Sequence, residues 1–236
     1  MKLAFYTMLI LVLGLSACDE DDVPKNTFTI PELGKPIVFD YNPASQSAFE
    51  DTYYEMDLNF YIPEGIEDLK NRPLLFTIST LRNGSVTGSM IEIIQREGMI
   101  AVSPKNGEQQ QFQLFLEALI DTEYVDPSNV YLAGFSAGGF HAYELAQLVQ
   151  NKVRGIVLLD PANFNSFEPE ENSSLSLCIV CQYDRIERYA QTVAELTAYG
   201  MSTKVIAVEG TDHFGILSTF TKQEKSECFD FVKNVD

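Results

Sequence analysis

The sequence predicts a doubly wound, mostly parallel α/β sheet with helices on both faces and antiparallel strands ahead of it. Three observations predict it. From Leu74 onward, short apolar runs alternate with longer amphipathic ones. Several short runs are apolar without interruption, as strands covered on both faces are. Parallel strands need crossovers, and the amphipathic stretches supply them as helices. In such a sheet ligands bind beyond the carboxyl ends of strands, so functional residues are expected just after strands.

Taken in order, Tyr53 to Ile62 alternates like a strand and ends at Pro63-Glu64-Gly65. Arg72-Pro73 introduces Leu74 to Ser79, a buried central strand. Met90 to Arg96 reads as a helix stopped by Gly98, and Met99 to Ser103 as a second buried strand. Phe112, Phe115, Leu116, Leu119 and Ile120 then form the stripe of a core-facing helix. Val130 to Ala133 is a strand, Phe140 to Val149 a helix and Val153 to Leu159 a strand. A polar loop from Pro161 to Ser174 follows, with Phe164 and Phe167 expected to overhang a pocket. Leu177 to Cys181 is a strand, Ile186 to Tyr199 a helix ended by Gly200, and Lys204 to Val208 a strand. The end, around Cys228, Phe231, Val232 and Val235, is helical. Cys178 and Cys181, three apart on a strand, point to opposite faces and lie too far apart to bridge. They and Cys228 are expected to be buried structural residues.

The N-terminus is excluded from this fold. Lys2 precedes an almost wholly apolar stretch, Leu3 to Leu15, that is too short for a comfortable membrane span and reads as a signal-peptide core. The run stops at Leu15-Ser16-Ala17-Cys18, which resembles the bacterial lipobox and implies lipidation of Cys18. Asp19, Glu20, Asp21 and Asp22 follow, resembling the acidic export tag of some surface lipoproteins. The expected organisation is a signal peptide at 1–17, an acidic linker at 18–26 and one α/β domain at 27–236. The expected location is the cell envelope, anchored through Cys18, in the outer membrane and exposed at the surface. Without the signal, 15 basic side chains face 34 acidic ones, a net charge of −19. Such a surface repels nucleic acid and polyanionic substrates, so an uncharged partner is the easier one.

The chemistry falls after strands. Gly134-Phe135-Ser136-Ala137-Gly138-Gly139 follows one strand and precedes a helix, the setting in which G-x-S-x-G presents a nucleophilic serine. Gly134 and Gly138 leave room where the chain nearly touches itself, and Gly139 lets the helix approach the sheet. The helix N-terminus aims N–H groups at the reacting carbonyl, with Ala137 as one oxyanion donor. Two histidines are available to act as base. His141 lies inside the helix, where it cannot turn back onto the hydroxyl. His213, in Gly210-Thr211-Asp212-His213-Phe214, follows the strand Lys204 to Val208 and is the candidate. Two aspartates end strands between them, Asp184 and Asp160, and either keeps the order Ser, Asp, His. Asp184 is favoured, with Asp160 the alternative; Asp212, beside the histidine, reads as a turn residue.

These residues resemble the α/β-hydrolases, in particular small esterases of the dienelactone-hydrolase, feruloyl-esterase and polyester-depolymerase kind. The resemblance runs from about Tyr53 to the end, through Y-I-P-E-G, D-P-S-N-V-Y-L-A-G-F-S-A-G-G and G-T-D-H-F. It implies a triad of Ser136, Asp184 and His213. An acid one strand earlier, at Asp160 in Leu159-Asp160-Pro161, resembles instead the platelet-activating-factor acetylhydrolases and chlorophyllases. One departure stands out: where those enzymes carry His-Gly after the central strand, this chain has Ser79-Thr80-Leu81. Thr80 or Leu81 would then give the second oxyanion N–H, with β-branched Thr80 restricting the backbone.

The expected function is hydrolysis of carboxylic esters, short acyl or aromatic, through an acyl-enzyme. The ester would be a small molecule or borne on a polysaccharide. No cofactor is implied, and the histidine spacing offers no metal ligand set. Two other readings stay open: a peptidase of the same fold, and a non-catalytic binding lipoprotein that retains it.

Overall fold

Strand β3, Arg72–Ser79, lies near the middle of an eight-stranded sheet and shows why the layers form as they do. Leu74, Phe76 and Ile78 face one side and Leu75 the other, and all are buried. A strand apolar on both faces is stable only when both faces are covered. The computed structural model describes residues 37–41, 54–63, 66, 68–79, 85–104, 109–171 and 173–234.

The remaining strands are β1 (Ile37–Tyr41), β2 (Tyr54–Tyr61), β4 (Ile100–Pro104), β5 (Val125–Phe135), β6 (Gly155–Leu159), β7 (Ser176–Gln182) and β8 (Ser202–Val208). Their order is β1-β2-β4-β3-β5-β6-β7-β8. β1 pairs antiparallel with β2, and β2 with β4; every other pairing is parallel. The doubly wound sheet with antiparallel strands ahead of it is therefore what the chain forms.

The helices divide between the two faces. On one side lie α3 (Gln109–Ile120), α4 (Ala137–Leu148) and α5 (Ile186–Ala198). On the other lie α1 (Ser85–Ser89), α2 (Ile91–Glu97), α6 (Ile216–Thr219) and α7 (Lys222–Lys233). The stripe Phe112, Phe115, Leu116, Leu119 and Ile120 is buried as expected, each side chain contributing about 1.5–3 kcal/mol. Helix α7 starts with a capping box in which Thr221 and Glu224 satisfy each other's backbone N–H groups.

Two of the expected boundaries move by three residues or more. β5 starts at Val125 rather than Val130, with its register against β3 broken between Arg72 and Leu74. The Asp126 carboxylate accepts from the Ser128 N–H at 2.9 Å and from the Asn129 amide at 2.7 Å, a local turn within the extended run. Helix α4 starts at Ala137 rather than Phe140, because the strand-to-helix corner is a single residue, Ser136. The three described cysteines are free and buried. Cys178 and Cys228 share one layer while Cys181 faces the other.

Candidate active site

β5 ends at Phe135 and α4 begins at Ala137, so the whole reversal falls on Ser136. Its backbone takes φ 56° and ψ −125°, a left-sided conformation that a non-glycine residue adopts only when its surroundings enforce it. The enforcement is visible in its glycine neighbours. A Cβ on Gly134 would lie 2.4 Å from the Gly138 carbonyl oxygen, and one on Gly138 would lie 2.5 Å from that of Ile78. The first approach folds the elbow onto itself, and the second presses it against the end of β3. The Ser136 N–H donates to Leu159 O at 3.1 Å, and the Ala162 N–H returns to Ser136 O at 2.9 Å. The elbow is thus stitched to the end of β6.

Two side chains converge on that corner. His213 stands on the loop between β8 and α6, and its Nε2 lies 2.8 Å from Ser136 Oγ. Its Nδ1 lies 2.5 Å from Asp160 Oδ2. An ionised carboxylate only accepts, so Nδ1 carries the proton and Nε2 presents its lone pair to the serine hydroxyl. The imidazole is packed as well as bonded. Phe135 stacks on it with centroids 4.8 Å apart and planes at 28°, and Phe214 meets it edge-on at 5.2 Å. Asp212 holds the loop, accepting the Gly215 N–H at 2.6 Å, which is the turn role expected of it.

The acid is where the favoured reading needs correction. Asp184 is exposed in a 3₁₀ turn, Tyr183–Arg185, and the carboxylate against His213 is that of Asp160. The turn explains the exclusion. Gln182, the extended last residue of β7, and Arg185, the last residue of the turn, both bond Asp160. Asp184 between them faces solvent. Asp160 itself follows β6, the strand next to β5, and is fully buried. Its φ of 40° swings the carboxylate toward the elbow, a conformation that aspartate tolerates better than most residues. Its N–H donates to Val180 O, which fixes the turn on β7.

No protein-family model and no curated protein sequence matches the chain. Solved structures do. Est1E from Butyrivibrio proteoclasticus superposes with a TM-score of 0.58 at 11% identity, over 76% of this chain and 96% of its own. An esterase of Pyrobaculum calidifontis gives 0.61 at 11% identity over 86% of both chains. LpqC, a poly(3-hydroxybutyrate) depolymerase from Bordetella parapertussis, gives 0.58 at 16% identity, over 83% of this chain and 90% of its own. The fold is that of the α/β-hydrolases.

Within this α/β-hydrolase fold, Ala137 is the first residue of α4, directly after the serine. Helix-initial N–H groups there have no partner inside the helix. Thr80 and Leu81, the expected second donors, lie outside the described residues, as does Cys18. Ser79, the last residue of β3, is buried, and its Cα lies 3.0 Å from where a Gly138 Cβ would sit. His141 belongs to another neighbourhood: its ring meets Phe112 and Phe140 edge-on, and Nδ1 lies 3.6 Å from Glu144.

Phe164 and Phe167 do not overhang a pocket. Phe164 is buried 4.3 Å from the Tyr143 ring, Phe167 stands 5.4 Å from the same ring, and both join the core layer of α4 and α5. Hydrogen bonds from Thr192 to Phe164 O and from Tyr189 to Pro161 O pin that loop down on α5. Phe214, by contrast, is 62% exposed beside His213. Among the described residues no group of His, Cys, Asp and Glu side chains is arranged to hold a metal ion.

Proposed function

We propose that this chain is a serine esterase that cleaves carboxylic esters through an acyl-enzyme. A single observation carries the reading: Ser136 Oγ lies within hydrogen-bond reach of an imidazole nitrogen whose ring is oriented by a buried carboxylate. Ser136 Oγ attacks the ester carbonyl carbon while His213 Nε2 takes its proton. The carbonyl electrons collect on oxygen, facing the Ala137 N–H at the start of α4. The intermediate collapses, the carbon–alkoxide bond breaks, and His213 returns the proton to the leaving alcohol. Water then attacks the acyl-enzyme by the same route and frees the acid. Asp160 stays ionised and supports the imidazolium formed in each half-reaction.

The esterases among the structural neighbours support this reading through a shared fold, and the triad geometry supports it through chemistry. The net charge of −18 disfavours polyanionic substrates, and exposed Phe214 beside the imidazole favours short acyl or aromatic groups. A fluorophosphonate probe tests the mechanism without a known substrate: the chain is expected to label, and Ser136→Ala to lose labelling. A folded wild-type chain that never labels would overturn the proposal. Anchoring through Cys18 rests on the Leu15–Cys18 motif. Cys18→Ser is expected to move the protein out of the membrane fraction of the producing cell, and unchanged partitioning counts against the anchor.

A further inference from the structure

The Asp160 carboxylate is held in an uneven way. Oδ2 accepts three hydrogen bonds: from His213 Nδ1 at 2.5 Å, Gln182 Nε2 at 2.6 Å and Arg185 Nη1 at 2.9 Å. Oδ1 is buried with no hydrogen-bond partner among the described residues. A carboxylate removed from water keeps its charge only where nearby cations or donors replace the lost solvation. Neutral His213 brings a donor and no charge. The cation bonded to Asp160 is Arg185, whose side chain runs from the exposed turn after β7 into the site.

The charged and titratable groups around this cluster, among the described residues, leave that task to Arg185. Cys181 on β7 is pushed up to about 11 by burial and then by the Asp160 charge, so it stays neutral. Tyr189 on α5 is pushed up for the same two reasons and stays neutral as well. Arg188, one turn along α5, bonds Asn163 instead. Asp184 faces solvent, and Asp212 and Glu209 on the histidine's own loop are exposed.

We propose that Arg185, assisted by Gln182, is a positioning residue of the hydrolytic site: it keeps Asp160 ionised, thereby fixing the His213 tautomer, and restrains imidazolium formation. The inference rests on the hydrolase reading for its consequence and on geometry for its substance. Removing the guanidinium has one sign through both routes. Asp160 takes a proton more readily at low pH, and the imidazolium forms more readily. Each moves the acid-side loss of serine reactivity to higher pH.

The test is the rate of fluorophosphonate labelling against pH in the full chain. In Arg185→Gln the acid limb is expected to move up by roughly half a unit or more. Arg185→Lys, which keeps the charge, is expected to restore the limb. Arg188→Gln removes the same charge nearby and is expected to leave it in place. Arg185→Met, which keeps the apolar stem, is read the same way should the glutamine variant not fold. A limb unmoved in a folded, labelled variant overturns the proposal, as does an equal shift in Arg188→Gln. If the wild-type chain does not label, the hydrolase reading fails, and the clamp is decided by NMR titration of the two histidines, with His141→Gln assigning them. A His213 titration displaced upward in Arg185→Gln supports the clamp, and an unmoved one defeats it.

Discussion

β6 and β7 run side by side, are buried along their whole length, and each passes an aspartate to the same edge of the sheet. The two aspartates end up in opposite environments. Beyond β6 the chain turns sharply at Asp160, with positive φ, and drives the carboxylate into the space beside the elbow. Beyond β7 it winds at once into a 3₁₀ turn and then α5, which rotates Asp184 outward and brings Arg185 inward. Which aspartate reaches the histidine is decided by the backbone of the residue that carries it. The strand after which it comes is secondary. Arg185, from that same turn, bonds the carboxylate of Asp160.

The comparison breaks most readily at the acid itself. Asp160→Asn is expected to lower fluorophosphonate labelling by about 10³- to 10⁴-fold, since an amide can donate to Nδ1 and reverse the tautomer. Asp184→Asn is expected to label at the wild-type rate, and the opposite ranking would restore Asp184 as the acid. The loop between the two strands gives the next effect. Phe164→Ala is expected to cost about 3–5 kcal/mol in denaturant unfolding, because the ring is buried against Tyr143. Its preference among esters of different acyl length should not move. A change in that preference without lost stability would return Phe164 to the pocket. The smallest effect concerns the turn that aims Asp160. Tyr189→Phe removes a 2.8 Å bond to Pro161 O and is expected to cost about 1 kcal/mol. Exposed Tyr183→Phe, on the β7 side, should cost nothing measurable; equal losses would show that the two turns are held alike.

Much of this site is legible in the sequence. The elbow announced itself because strained turns demand glycine at fixed offsets, and Gly134 and Gly138 occupy the two positions where a Cβ would strike backbone. His213 was reachable by elimination, since His141 lies inside a helix. The acid was less legible, although one signal was present. Asp160 sits between Leu159 and Pro161 at the end of an unbroken apolar run, where a charge needs a reason to be buried. Asp184 sits in Tyr-Asp-Arg-Ile-Glu-Arg, a run of charges that suits solvent. The polar appearance of the Pro161–Ser174 loop likewise points Phe164 toward a pocket, whereas the ring is buried in the core.

Local patterning therefore determined the sheet, its two covers and the placement of Ser136 and His213 just after strands, because periodicity, turn chemistry and chain order are properties of neighbouring residues. Tertiary structure alone decided which carboxylate meets the imidazole and that Arg185 faces it. Those contacts join residues 25 and 53 positions apart, and they depend on how two adjacent turns rotate their side chains about a shared edge.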